Sequence, residues 1–344
     1  MPEAIIEPDL PIIDPHHHLW DRRPVMHLIP PPVHPFEHIS YRKGHYLLDQ
    51  LLEDTGSGHN IAATVYLECR SMYRADGPAE MKCVGETEFV NGVAAMAASG
   101  LYGKTLACAG IVSTAELLLG ADVGRVLDAH MQAGGTRFKG IRRSTSYDAD
   151  PNVLGPLNRS PAGVMMESKF REGFAELGKR GLSFDAWFLE PQLPELIDLA
   201  RQFPETPIVL DHVGTPLGLA SYAGKLPERF GIWRDNIRAL AKNANVHVKL
   251  GGLAMPFCNF PSMLSDKRAP SEHLAKEWEP YVEACIEAFG AKRCMFESNF
   301  PVDEVSCEYP TLWNALKLIA KSASADEKRE LFFGTANRFY RLGL

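Results

Sequence analysis

With 344 residues, 45% of them hydrophobic and 23% charged, 28 Gly, 25 Pro and a formal net charge of −7, the chain has the balance of a globular protein; disordered, collagen-like and fibrous readings are excluded. The acidic excess and the lack of any Lys/Arg block argue against nucleic acid and anionic membrane as partners, leaving small-molecule chemistry. Seven cysteines at irregular spacing, with no CxxC pair, read as reduced and mostly buried thiols. No run reaches the ~18 apolar residues of a membrane span, and MPEAIIEPDLPIID has neither a basic nor an apolar leader-like stretch, so a cytoplasmic location is expected.

In chain order, short apolar runs predict strands at Ile12–His16, Ile61–Glu68, Leu106–Val112, Phe138–Arg142, Ser183–Phe188, Ile208–His212, Val246–Leu250 and Met295–Asn299. Between them lie stretches with apolar residues at helical spacing, such as 85–99, 168–181, 193–203, 227–244, 271–289 and 309–322. Eight strands alternating with helices predict one α/β domain over 1–344, a (β/α)₈ TIM barrel, because closure removes both sheet edges. A further helix, Ala325–Tyr340, is expected to close one end. The linkers Leu19–Asn60 and Ala254–Pro270 are long, and both follow the carboxyl ends of strands, where barrel active sites are built.

The first strand reads PIIDPHHHLWD. Its period of two puts His16 and His18 on one face and His17 on the other, a spacing suited to holding a metal or polarising a carbonyl. By the same parity Asp14 joins His16 one layer lower, and Asp211 points away from His212 toward a structural role. Glu297 and Asn299 share the inner face of the eighth strand, with Glu297 deeper; burial is expected to raise its pKa into a range useful for a general base. An ion pair with Lys249 or Arg142 is the alternative for Glu297. Glu68 has an inward direction as a further ligand or acid, and Asp303 lies in reach of the cup. Lys139, Arg142, Arg143, Arg70, Arg74 and Lys249 form a cationic set for binding a carboxylated substrate, with Trp20, Tyr73, Trp187 and Phe300 as apolar walls.

Taken together, IIDPHHHLWD, FKGIRRS, IVLDHVGTP, VHVKLGGLAM and MFESNFPVD resemble the amidohydrolase superfamily, in particular its group of TIM-barrel lactonases, over nearly the whole chain. The resemblance implies hydrolysis of a small carboxylated lactone or related ester, with His16, His18 and His212 lining the site. Two departures stand out: relatives usually carry Asp where Asn299 stands and Gly where Glu297 stands, and Gln192 takes a position often held by His. An amide neither accepts a proton near neutral pH nor binds metal as a carboxylate does. The expectation is therefore no cofactor, or one weakly bound divalent metal, zinc or manganese, held by His16, His18 and Glu297. The catalytic set is Glu297, Asn299, His212, His16 and His18; the substrate-binding set is Arg142, Lys139, Arg70, Tyr73 and Lys249. A decarboxylase or hydratase acting on a similar acid, and a catalytically degenerate ligand-binding barrel, remain as alternatives, and a homo-oligomer is left open.

Overall fold

The computed structural model describes residues 3–157, 159–264 and 267–344. Its apolar runs become eight strands: β1 Pro11–His17, β2 Asn60–Leu67, β3 Leu106–Ser113, β4 Phe138–Arg142, β5 Ser183–Ala186, β6 Ile208–Leu210, β7 Val246–Leu250 and β8 Cys294–Phe296. Each is parallel to the next, in sequence order. The ring closes at the carboxyl end through a bridge between His17 and Phe300, where His18 N–H donates to the Phe300 carbonyl at 2.8 Å. This is the expected (β/α)₈ barrel, with helices between successive strands.

Three strands are shorter than the periodicity suggests. β5 stops at Ala186, β6 at Leu210 and β8 at Phe296. Past β6 and β8 the backbone turns left-handed, at His212 (φ 55°), Val213 (φ 48°) and Asn299 (φ 56°), so simple alternation of side chains fails there.

The amino end of the barrel is filled by Ile13, Ala63, Val65, Leu67, Val209 and Met295, capped by Ala336, Phe339 and Tyr340. These last residues belong to the expected closing element, which is divided into Ala325–Arg329, a wider π-type turn over Glu330–Gly334, and Thr335–Phe339.

The long linker after β1 is structured, with helices at Glu37–Arg42 and Leu48–Thr55 and an antiparallel pairing of Trp20–Asp21 with His45–Tyr46. In the linker after β7, Pro261–Leu264 forms a helical turn, while Ser265 and Asp266 lie outside the described residues. Trp20 and Ile39 from the first linker meet Val153 and Leu154 after β4 and Met255 and Phe257 after β7 in one apolar cluster. His34 Nε2 ties the linkers further, donating toward the carbonyls of Asn152 and Val153. All seven cysteines are unpaired and six are buried. No helix among the described residues is long and apolar enough to cross a membrane.

Candidate active site

The carboxyl end of the barrel opens into a cavity of about 600 Å³. Its floor presents His18, Glu68, Arg142, His212 and Asn299; its roof is largely apolar, with Trp20, Ile29, Phe36, Ile39, Trp187 and Met255. The floor rests on a buried polar layer of His16, Asp185, Asp211, Lys249 and Glu297.

Glu297 is fully buried beneath His212. Its Oε1 accepts from both the backbone N–H (3.1 Å) and Nδ1–H (2.7 Å) of His212. Two acceptors cannot share this contact, so Nδ1 carries the proton and the lone pair of neutral His212 sits on Nε2. Glu297 Oε2 lies 2.6 Å from His16 Nδ1 and makes no directed hydrogen bond. Arg142 faces His16 Nε2 at 3.2 Å and Lys249 Nζ faces Nδ1 at 3.2 Å, so both ring nitrogens meet a cationic donor. Burial, and then the charges of Lys249, His212, His18 and Arg142, hold His16 well below the ordinary imidazole range.

The glycine pair in VKLGGL makes room for this arrangement. A Cβ on Gly251 would come within 2.5 Å of Glu297, and one on Gly252, where φ is +65°, would run into the His212 ring. Both positions require glycine, and Gly252 requires it for backbone reasons as well.

His18 Nδ1 donates to the Leu67 carbonyl at 2.9 Å, which leaves Nε2 as an acceptor. Burial, and next Arg142, keep this ring well below its ordinary pKa. Asn299 donates through Nδ2 to Asp303 Oδ1 (2.7 Å), so its Oδ1 faces His18 Nε2 at 3.3 Å. Two acceptor atoms thus face each other at the cavity wall. Asp303 is buried, and burial, partly offset by His212, pushes its carboxyl up to about 7.

Several placements correct the sequence reading. Asp211 points into the barrel: Leu210 ends the strand on the outer side, Asp211 follows on the inner side, and the left-handed turn at His212 brings that ring inward too. Asp211 contacts Lys249 Nζ at 3.0 Å, Arg142 at 3.7 Å and His16 Nδ1 at 3.8 Å. Burial works against its charge, but Lys249, His212 and Arg142 outweigh it and hold the carboxyl below its ordinary range. Asp14 does not share the face of His16, because pairing with β2 shifts register between Asp14 and His17; it accepts instead from Ser298 and Tyr309.

Lys139 is not on the substrate rim. It sits early in β4, and its amine donates to the carbonyls of Thr136 and Arg341, near the C-terminal segment. Lys249 lies beneath the floor, paired with Asp185 and Asp211, rather than lining the cavity. Arg74 is an exposed partner of Glu88. Gln192 also stays out of the cavity and ties two linkers, accepting from Tyr147 N–H and donating to the Thr145 carbonyl.

Of the substrate-binding set, Arg142, Arg70 and Tyr73 line the cavity. Arg142 is bound to the Glu68 side chain (3.0 Å) and carbonyl (2.5 Å), and its guanidinium lies 5.8 Å from the Trp187 ring centre. Arg143, also lining, is tied to Glu116 and Ser160. Arg70 is different: it is exposed, has a left-handed backbone (φ 62°), and is presented by a turn pinned to buried Glu86, whose Oε1 accepts from Tyr66 O–H, Cys69 N–H and Ser71 N–H.

The sequence reading missed Asp185 and Tyr340, which extend the polar layer downward: Tyr340 O–H donates to Asp185 Oδ2 at 2.6 Å. It also missed the roof residues Ile29, Phe36 and Met255. Among the described residues one metal-capable cluster stands out, His16, Asp211 and His212, with ligand atoms within 4.8 Å of one another. Only His16 belongs to the ligand set expected from sequence. His18 is committed to Leu67 and faces Asn299, and Glu297 is committed to His212.

Comparison with known proteins places this barrel. The amidohydrolase family profile matches residues 13–342, and the chain belongs to that family, which makes it an enzyme of the hydrolase type. It is 34% identical to the uncharacterised protein y4mH of Sinorhizobium fredii over 337 residues, 97% of this chain and 99% of that one. It is 28% identical to an L-fucono-1,5-lactonase of Burkholderia multivorans over 209 residues, 60% of this chain and 64% of the lactonase. Among solved structures, an amidohydrolase from Burkholderia multivorans with bound zinc shares the fold, with a TM-score of 0.69 at 23% identity, over 96% of this chain and 99% of that one.

Proposed function

We propose that the protein hydrolyses a small acid-bearing lactone or related ester in the cytoplasm, with His212 as the base. The observation that carries this reading is the His212–Glu297 pair: a buried carboxylate fixes the ring through Nδ1 and aims Nε2 at the cavity. Similarity to a lactonase over part of the chain supports the reaction class, and seven unpaired thiols suit a reducing compartment.

Nε2 of His212 takes the proton of the attacking water, and Glu297 steadies the imidazolium that forms. Asn299 orients the water or the substrate through its amide oxygen. Arg142, held rigid by Glu68, stabilises the oxyanion as the carbonyl becomes tetrahedral. His212 then returns the proton to the ring oxygen as the acyl–oxygen bond breaks. Arg70 receives the acid group of the substrate.

The residues also fit a single divalent metal. Four buried carboxylates, Glu68, Asp185, Asp211 and Glu297, face two cations, Arg142 and Lys249, and Asp211 Oδ1, Asp211 Oδ2 and Glu297 Oε2 all lack a directed hydrogen bond. His16, Asp211 and His212 would hold it, and zinc or manganese there would polarise the carbonyl and acidify water. Arg142 and Lys249 on the same donors argue for weak binding.

The test is turnover of a panel of lactones, with and without a carboxylate, by the native protein, Glu297→Gln and His212→Asn. Both variants are expected to lose roughly 10²–10⁴-fold in kcat while staying folded. Unchanged turnover in Glu297→Gln removes the base assignment, and carbon dioxide release without ring opening replaces the lactonase reading with decarboxylation.

A further inference from the structure

Lys249 is fully enclosed, with Nζ 2.8 Å from Asp185 Oδ2, 3.0 Å from Asp211 Oδ1 and 3.2 Å from His16 Nδ1. Two of these three neighbours, with His212, make up the metal-capable cluster. A divalent ion bound there would share its donors with an ammonium already on them, and like charges a few ångströms apart repel strongly where water is excluded. Arg142 reaches the same donors from the other side, 3.2 Å from His16 Nε2 and 3.7 Å from Asp211 Oδ2, but the rest of its fork is committed to the side chain and carbonyl of Glu68.

We infer that Lys249 is the resident cation of this cluster: its ammonium supplies the positive charge that Asp211 and Glu297 demand, keeps divalent-metal affinity low, and so leaves His212 Nε2 available for proton transfer. The inference rests on the reading of His212 as the base, since that nitrogen cannot both ligate a metal and accept a proton. Lys249 is anchored from below as well, since its partner Asp185 is held by Tyr340 O–H and the ammonium lies 5.6 Å from the Tyr340 ring centre. Its two carboxylate contacts, Asp185 and Asp211, favour the charged form of the amine. It is a positioning residue, acting through Asp211 and His16 and not on the substrate.

The experiment is a calorimetric titration of the full chain with zinc chloride, alongside metal content after dialysis and thermal unfolding with and without zinc, for the native protein, Lys249→Met and Lys249→Arg. Lys249→Met is expected to bind one zinc per chain at least about tenfold more tightly than the native protein and to gain thermal stability with zinc, because Asp211 then needs a cation. Lys249→Arg, which keeps the charge, is expected to bind as weakly as the native protein. Where Lys249→Met does not fold, the double variant with Asp185→Asn, which removes the second unpaired acid, carries the same expectation. The inference is overturned if folded Lys249→Met or its double variant binds zinc no more tightly than the native protein, if Lys249→Arg binds it as tightly as Lys249→Met, or if the native protein retains stoichiometric zinc after dialysis. Zinc binding is scored without turnover, so either failure is distinct from failure of the hydrolase reading, which the Glu297→Gln and His212→Asn kinetics decide.

Discussion

Below the cavity, His16, Arg142, Lys249 and Glu297 stand on or just beyond strands, each with polar partners at fixed distances; above it, Phe36, Ile39 and Met255 come from linkers and meet in an apolar cluster. The floor has one arrangement, because every buried charge there needs its partner, and a displaced group would lose both hydrogen bond and ion pair. The roof tolerates repacking, because apolar contacts are non-directional. The proposed function therefore ties reaction chemistry to the floor and substrate choice to the roof and rim.

The sharpest way to break that division is Gly252→Ala. The added methyl, at a backbone angle alanine adopts with strain, is directed at the His212 ring. A loss of roughly 10²-fold or more in kcat is expected from a small displacement of the proposed base, with the barrel still folded by circular dichroism. Ordinary kcat in this variant would show that the floor is less exacting than its geometry indicates.

Arg70 tests the rim. Its removal in Arg70→Ala is expected to raise KM for acid-bearing substrates by roughly tenfold to a hundredfold, the cost of one charge-assisted hydrogen bond, with kcat nearly unchanged. Steady-state kinetics on acidic and neutral lactones check this, and equal losses on both would remove Arg70 from anion recognition.

Ile39→Ala tests the roof itself. Truncating this buried side chain should cost about 2 kcal/mol of stability and alter KM, while kcat stays within about twofold. A fall in kcat like that of Gly252→Ala would erase the distinction between roof and floor.

The smallest effect concerns Glu86, which pins the turn that carries Arg70. Burial, and next the charge of Glu68, raise its carboxyl to about 7 from an ordinary 4.5. The folded chain thus holds a proton that the unfolded chain has released, and this contribution to stability is lost as pH rises from about 4.5 to about 7. Denaturant midpoints measured across that window should show the fall, and Glu86→Gln should flatten it.

The floor was legible in the sequence wherever strand periodicity holds. His16, Glu297 and Arg142 each follow from alternation within or just beyond a strand, and IIDPHHHLWD and MFESNFPVD carried the family. Alternation failed at Asp211 and Asp14, where a left-handed turn and a register shift intervene, neither of which has a signature in residue type. Lys139 was misplaced because composition does not say which end of a barrel a cation faces. The roof was illegible for another reason: Ile39, Val153 and Phe257 are more than 100 residues apart in the chain, and nothing local to any of them announces the others.

The most direct test of the central claim is to follow acid-bearing lactones in ¹⁸O-labelled water and analyse the products by mass spectrometry. Hydrolysis by activated water predicts one ¹⁸O in the newly formed carboxylate, ring opening, and no carbon dioxide. Carbon dioxide release with the ring intact, or ring opening without label, would contradict it.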